Sequence, residues 1–199
     1  MLKICKPSPV HKFSSNTYIL SSCGDVAVVD PSVPYDSSLV DGKLKYILLT
    51  HSHFDHILDI DSWVEAGGEV IISEAELDFL PDPMKNCYGL FFAEDKGYHG
   101  KATVVREGDV LILGDEKITV MNVPGHTSGS LVYSVGEKCF VGDTVFAGGG
   151  YGRFDLPSGN VSELLRSIQR ICSLPENTLL YPGHGDETTV KKFIEDFNR

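Results

Sequence analysis

Long apolar runs are missing from this 199-residue chain. No stretch reaches the ~18 apolar residues of a membrane-spanning helix. The opening Met1-Leu2-Lys3-Ile4-Cys5 lacks the apolar core of a secretory signal. Positive charge is scarce: 17 Lys and Arg stand against 28 Asp and Glu, a formal net charge of −11. Such a balance disfavours binding to a phosphate backbone. Cysteine is sparse and irregular. Cys5, Cys23, Cys87, Cys139 and Cys172 make an odd count with no regular spacing, which argues against a disulfide scaffold. A reducing cytoplasm suits them. The expectation is a cytoplasmic protein with a small-molecule partner and neither nucleic acid nor membrane. At this length one domain is simplest, burying roughly 70% of its unfolded surface.

Histidine, by contrast, is concentrated. The segment Thr50-His51-Ser52-His53-Phe54-Asp55-His56 follows the apolar run Tyr46-Ile47-Leu48-Leu49. That run reads as a buried strand, so the cluster falls in the turn after it, where rigid elements suit a catalytic site. His51 and His53, two apart in extended chain, share one face and suit one metal. Asp55 and His56 come where the chain turns, so they point to a second position. Imidazole and carboxylate are donors that Zn, Fe and Mn share.

Two more histidines sit in glycine-flanked turns, Pro124-Gly125-His126 and Pro182-Gly183-His184. Each follows a strand-like run, and Asp143 follows another, Cys139-Phe140-Val141-Gly142. Asp30, ending the run Val28-Val29, is a candidate partner for a ligand imidazole or a turn former with Pro31. Thr50 and Thr127 flank candidate ligands and are candidates for local hydrogen bonds. His11 and His99 match no pattern and are set aside as non-ligands.

The motif His51-x-His53-x-Asp55-His56, followed by His126, Asp143 and His184, resembles the metallo-β-lactamase superfamily. The match runs from Asn16-Thr17-Tyr18 to His184. Within that superfamily the chain is most similar to the glyoxalase II branch, the hydroxyacyl-thioester hydrolases. Gly142-Asp143-Thr144 and Gly152-Arg153-Phe154-Asp155 carry that likeness. The resemblance implies an αββα sandwich in a single α/β domain and two divalent ions, zinc first and iron or manganese also admitted. His51, His53 and His126 would hold one ion; Asp55, His56 and His184 the other; Asp143 would bridge them. Asp143 also counts against true β-lactamase activity, because many such enzymes carry cysteine there.

The implied reaction is hydrolysis of a hydroxyacyl thioester, S-lactoylglutathione or similar, by a metal-bridging hydroxide. In that reaction Asp143 would bridge the metals and Asp55 would orient the nucleophile, which makes these two the candidate catalytic carboxylates. Arg153 is the candidate contact for a substrate carboxylate. Asp155, where the branch often has tyrosine, opposes an anionic substrate unless it pairs with Arg153. The helical domain that commonly follows in glyoxalase II is not expected, since one helix remains after His184. The same site would also serve a mononuclear-iron persulfide dioxygenase, a lactonase or a non-catalytic metal-binding scaffold.

By pattern, strands are expected at Thr17–Ser21 and Val26–Asp30, with Gly24-Asp25 as the hairpin turn. Further strands are expected at Tyr46–Leu49, Glu69–Ile72, Val110–Leu113, Lys117–Val123, Leu131–Val135, Lys138–Val141 and Thr178–Tyr181. Helices are expected near Ile57–Ala66, Glu74–Leu80, Val161–Cys172 and Thr189–Phe197. In the third, Val161, Leu164, Leu165, Ile168 and Ile171 share a face. The irregular stretch from Pro81 to Gly100 is either a lid or wall over the site or simple packing.

Overall fold

The computed structural model describes residues 1–94 and 96–199. Asp95, inside the 81–100 stretch, lies outside the described residues. Among the described residues twelve strands form two six-stranded sheets. The first runs in chain order: β1 (Lys3–Cys5), β2 (Tyr18–Ser22), β3 (Asp25–Val29), β4 (Lys43–Leu48), β5 (Glu69–Ser73) and β6 (Thr103–Val105). The second holds β7 (Val110–Leu113), β8 (Glu116–Asn122), β9 (Leu131–Val135), β10 (Lys138–Gly142), β11 (Leu179–Pro182) and β12 (Thr188–Thr189). Its order is reversed, and only β10 and β11 pair in parallel there. Helices are α1 (Ile60–Glu65), α2 (Tyr88–Phe91), α3 (Val161–Cys172) and α4 (Val190–Phe197).

The layering follows from side-chain alternation along each strand. Tyr18, Leu20, Ala27, Val29 and Leu48 face the second sheet and meet Ile118, Val120, Tyr133 and Phe140. Their neighbours Ile19, Val26, Val28 and Ile47 point the other way, under Ile60 and Trp63 of α1. On the far side, Val132, Val141 and Leu180 pack under Leu164, Ile168 and Ile171 of α3 and Phe193 of α4. Strands covered on both faces are apolar on both faces, which is why these runs are continuous rather than alternating. The result is the expected αββα sandwich in one α/β domain. Among the described residues no helix is long and apolar enough to cross a membrane.

Several expectations need correction. The β2–β3 turn is Cys23-Gly24, not Gly24-Asp25. Both turn residues have positive φ, 46° and 83°, and Asp25 already pairs with Ser22. The helix after the histidine segment starts at Ile60, because Phe54–His56 forms a separate 3-10 turn. The Asp59 amide donates to Pro31 rather than into that turn. Glu74–Leu80 is no helix beyond the 3-10 turn Glu74–Glu76. In α3, Leu164, Ile168 and Ile171 are buried, whereas Val161 and Leu165 are exposed at the margin of the stripe.

Candidate metal centre

The four segments carrying the seven candidate residues leave β4, β8, β10 and β11 at one end of the sandwich. There the structure brings all seven together. His51 Nε2 lies 3.1 Å from His53 Nδ1. His126 Nε2 is 3.2 Å from the first and 2.9 Å from the second. Three nitrogens around a tetrahedral ion with bonds of about 2.0–2.1 Å would sit about 3.3 Å apart. The observed triangle is close to that.

Beside it, Asp55 Oδ2 stands 3.1 Å from His184 Nε2 and 3.9 Å from His56 Nε2. Asp143 lies between the two groups. Its Oδ1 is 3.3 Å from His56 Nε2; its Oδ2 is 3.7 Å from His126 Nε2 and 3.5 Å from His184 Nε2. His56 Nε2 and Asp143 Oδ1 are buried without a hydrogen-bond partner. Buried polar atoms normally have one. Orphaned atoms converging from a nitrogen and an oxygen donor suit a cation, and the whole set can hold metal.

Partners behind the imidazoles decide which nitrogen faces inward. His56 donates from Nδ1 to Asp30 Oδ2 at 2.8 Å, and His126 donates from Nδ1 to the Arg153 carbonyl at 2.7 Å. Asp30 also accepts from Thr50 Oγ1 at 2.7 Å, and that hydroxyl in turn accepts from His51 Nδ1 at 3.1 Å. One buried carboxylate therefore orients His56 directly and His51 through Thr50, leaving both Nε2 atoms free to ligate. Asp30 holds this post with φ at 51°, in the left-handed region. Strain of that kind, unusual for a residue other than glycine, recurs at functional sites. The Thr127 hydroxyl goes instead to Ser130 Oγ, at 2.7 Å.

The two halves differ electrostatically. Burial and the neighbouring imidazoles of His56, His53 and His126 hold His51 well below its ordinary 6.5. Burial, reinforced by His126, takes His53 to about 3. Burial alone would also lower His56, but the Asp143, Asp30 and Asp55 carboxylates outweigh it and raise that group well above 6.5. His184 rises too: the bond to Asp55 and the charge of Asp143 overcome its desolvation. Burial works against ionisation of Asp55 and Asp143, yet His56 and its neighbours lower both.

Two residues tie these loops together, and one had no signal in the sequence. Glu76 is fully buried in the short turn after β5. Its Oε2 accepts from the Ser52 amide at 3.0 Å and from the Ser52 hydroxyl; its Oε1 accepts from the Gly129 amide at 3.0 Å. It thus clamps the His51–His53 loop to the His126 loop. Asn16, which only marked where the resemblance begins, donates from Nδ2 to the Pro182 and Gly185 carbonyls, each at 2.9 Å, and so holds the His184 turn. Gly183 has no room for a side chain, since a Cβ there would lie 2.2 Å from Asp143 Oδ1.

A cavity of about 440 Å³ opens over the centre. Arg153 lies on it, but its guanidinium is closed on Asp155 by two bonds of 2.8 Å. That contact lowers Asp155 to about 2. The 81–100 stretch acts as a wall in its described part: Asn86 accepts from the Phe54 amide at 2.8 Å, and Cys87 and Phe91 line the cavity. His11 pairs with Asp59, and His99 lines a separate cleft, so neither joins the centre.

The sequence profile of the metallo-beta-lactamase superfamily matches residues 12–184. The chain belongs to that superfamily. Among its relatives, the probable metallo-hydrolase YqgX of Bacillus subtilis is 34% identical, over 92% of this chain and 90% of its own. The hydroxyacylglutathione hydrolase GloC of Haemophilus influenzae is 30% identical, over 92% of this chain and 91% of its own, in keeping with the glyoxalase II-like branch. The structure is similar to BLEG-1, a B3 metallo-beta-lactamase, with a TM-score of 0.87, 28% identity and coverage of 98% and 97%. It is also similar to TTHA1623 in a di-iron-bound form, with a TM-score of 0.81, 27% identity and coverage of 96% and 98%. The chain is a metal-dependent hydrolase by family.

Proposed function

We propose that this protein is a two-metal hydrolase of acyl thioesters, S-lactoylglutathione or a relative of it, acting on small molecules in the cytoplasm. The observation that carries the reading is Asp143, set between a three-imidazole group and an Asp55–His56–His184 group. The GloC relative supports the substrate class. In this reading His51, His53 and His126 would hold one ion and Asp55, His56 and His184 the second, with Asp143 placed to serve both. Zinc suits the donors, and the di-iron neighbour favours testing iron equally. When bound, two divalent ions supply Lewis acidity and lower the pKa of water from about 15.7 towards ~7.

The chain's own residues do the rest. Asp55 stays ionised because His56 and His184 stabilise its carboxylate, so it can accept a hydrogen bond from the attacking water and orient it. Asp30, through His56 and Thr50, keeps the ligating Nε2 atoms of His56 and His51 aimed at the centre. Arg153 meets a substrate carboxylate only by sharing or leaving Asp155.

The test is turnover of S-lactoylglutathione by metal-analysed protein, with Asp143→Ala alongside. Fast hydrolysis with about two metals bound, lost in the variant, is expected. A variant that kept both metals and full rate would contradict the role of Asp143. Likeness to BLEG-1 raises β-lactam hydrolysis as a second reading, against which Asp143 in place of a cysteine counts, and a chromogenic cephalosporin assayed under the same conditions separates the two.

A further inference from the structure

The cavity over the centre is unequal in what it offers a substrate. Phe54, between His53 and Asp55 in sequence, is buried and gathers other rings around it. Phe13 lies 6.1 Å from it by ring centroid, Phe91 5.6 Å and Tyr88 5.7 Å. Phe13 and Phe91 remain 36% and 52% exposed, and both line the cavity. Phe146 and Leu156 line it as well.

Polar groups for a hydroxyacyl chain are few. Ser14, the only hydroxyl-bearing residue lining the cavity among the described residues, already donates to the Ser32 carbonyl at 3.0 Å. The fork of Arg153, the candidate contact for a substrate carboxylate, is occupied by Asp155 in two short bonds, so an incoming carboxylate must displace a bidentate partner. Most of what is on offer is apolar surface; Lys12 adds one cation at the cavity's edge, its Nζ 4.6 Å from the Phe13 ring centroid.

We infer that this site selects its substrate mainly at the acyl end, for an aromatic or similarly bulky apolar acyl group packed against Phe13, Phe54 and Phe91. The inference rests on the thioesterase reading above for its chemistry. The half-exposed rings beside the candidate metal ligands are the surface such a group would cover. Removing one ring wall should therefore change acyl preference without touching the metal donors.

The experiment compares lactoyl and phenylacetyl thioesters, each on glutathione and on uncharged N-acetylcysteamine, by kcat/KM. On either thiol the phenylacetyl ester should be preferred about ten-fold or more, the range an apolar pocket gives for added carbon. The two thiols should differ by less than about ten-fold. Phe91→Ala should lower the phenylacetyl-to-lactoyl ratio at least several-fold, with metal content unchanged. Lactoyl equal to or better than phenylacetyl, or a preference for glutathione that outweighs the acyl effect, would overturn the inference. Calorimetric titration of phenylacetate and lactate into the metal-loaded protein reads the same preference without turnover. Four inert thioesters with phenylacetate still bound more tightly than lactate would reject the thioesterase reading and leave the acyl wall standing. Equal binding of the two acids would reject the wall itself.

Discussion

Asp30 connects more of the centre than any other residue that is not itself a candidate ligand. It reaches His56 directly and His51 through Thr50. Outer partners of this kind commonly change metal affinity about 10–100-fold when removed. Asp30→Ala should therefore weaken both metal positions. Thr50→Val should weaken mainly the one at His51, because the direct bond to His56 survives. Competition with a chromophoric chelator measures each, and equal losses in the two variants would refute the relay. The pH dependence has a definite sign. His51 and His53 are held well below 6.5 and favour the neutral form, whereas His56 is raised well above 6.5 and His184 shifts in the same direction, so this half binds protons more readily in the metal-free protein. Loading the Asp55–His56–His184 half must displace those protons. Its affinity should fall more steeply than that of the three-imidazole half as pH drops from 8 to 6. Calorimetric titration in two buffers of different ionisation enthalpy should show proton release on filling that half. Equal proton release from both halves would contradict this assignment.

At the scale of elements, loops rather than strands carry the chemistry, and their spacing depends on clamps. Glu76→Ala leaves the Ser52 and Gly129 amides without their acceptor, and each buried orphan costs about 1–3 kcal/mol. Unfolding in urea should show a loss of about 2–4 kcal/mol, and a loss near zero would mean water replaces the carboxylate. Gly183→Ala is a sharper probe, since its Cβ would lie 2.2 Å from Asp143 Oδ1 and 2.5 Å from His56 Cε1. Metal binding and turnover should fail while far-UV circular dichroism stays native; a fully active variant would show that the turn has room. Much of this level was legible beforehand. The ligand-bearing turns follow strands because continuous apolar runs end in Pro-Gly-His or in the Thr50–His56 segment, and such punctuation survives in sequence. Glu76 was not legible, because a carboxylate in Ser73-Glu74-Ala75-Glu76-Leu77 looks like solvated helix surface. Its burial arises only when β5 brings it under Ser52 and Gly129, a long-range contact that periodicity does not encode. The turns at Cys23-Gly24 and before Ile60 were misplaced for a related reason. Local preference gave way to the β2–β3 register and to the bond between Asp59 and Pro31.

At the scale of the molecule, the sandwich brings four loops from both sheets to one end, so the centre exists only when the sheets are packed. Metal binding and folding are therefore linked, and ions that bind the native state should stabilise it in proportion to their concentration over Kd. Formal charge is −11 without metals, and bound divalent ions relieve part of the repulsion at the acidic end of the site. The α/β class was legible from strands mixed with helices, while the αββα layering came from the family resemblance and is explained by strands apolar on both faces. The acyl-facing wall was not, because Phe13, Phe54 and Phe91 come together only through tertiary packing. The central claim is that two ions sit either side of Asp143. Anomalous diffraction from crystals of the metal-loaded protein tests it most directly. Two peaks roughly 3.5–4 Å apart, one beside His51, His53 and His126 and one beside Asp55, His56 and His184, are predicted. A single peak at full metal saturation, or two peaks with Asp143 touching neither, would contradict the account.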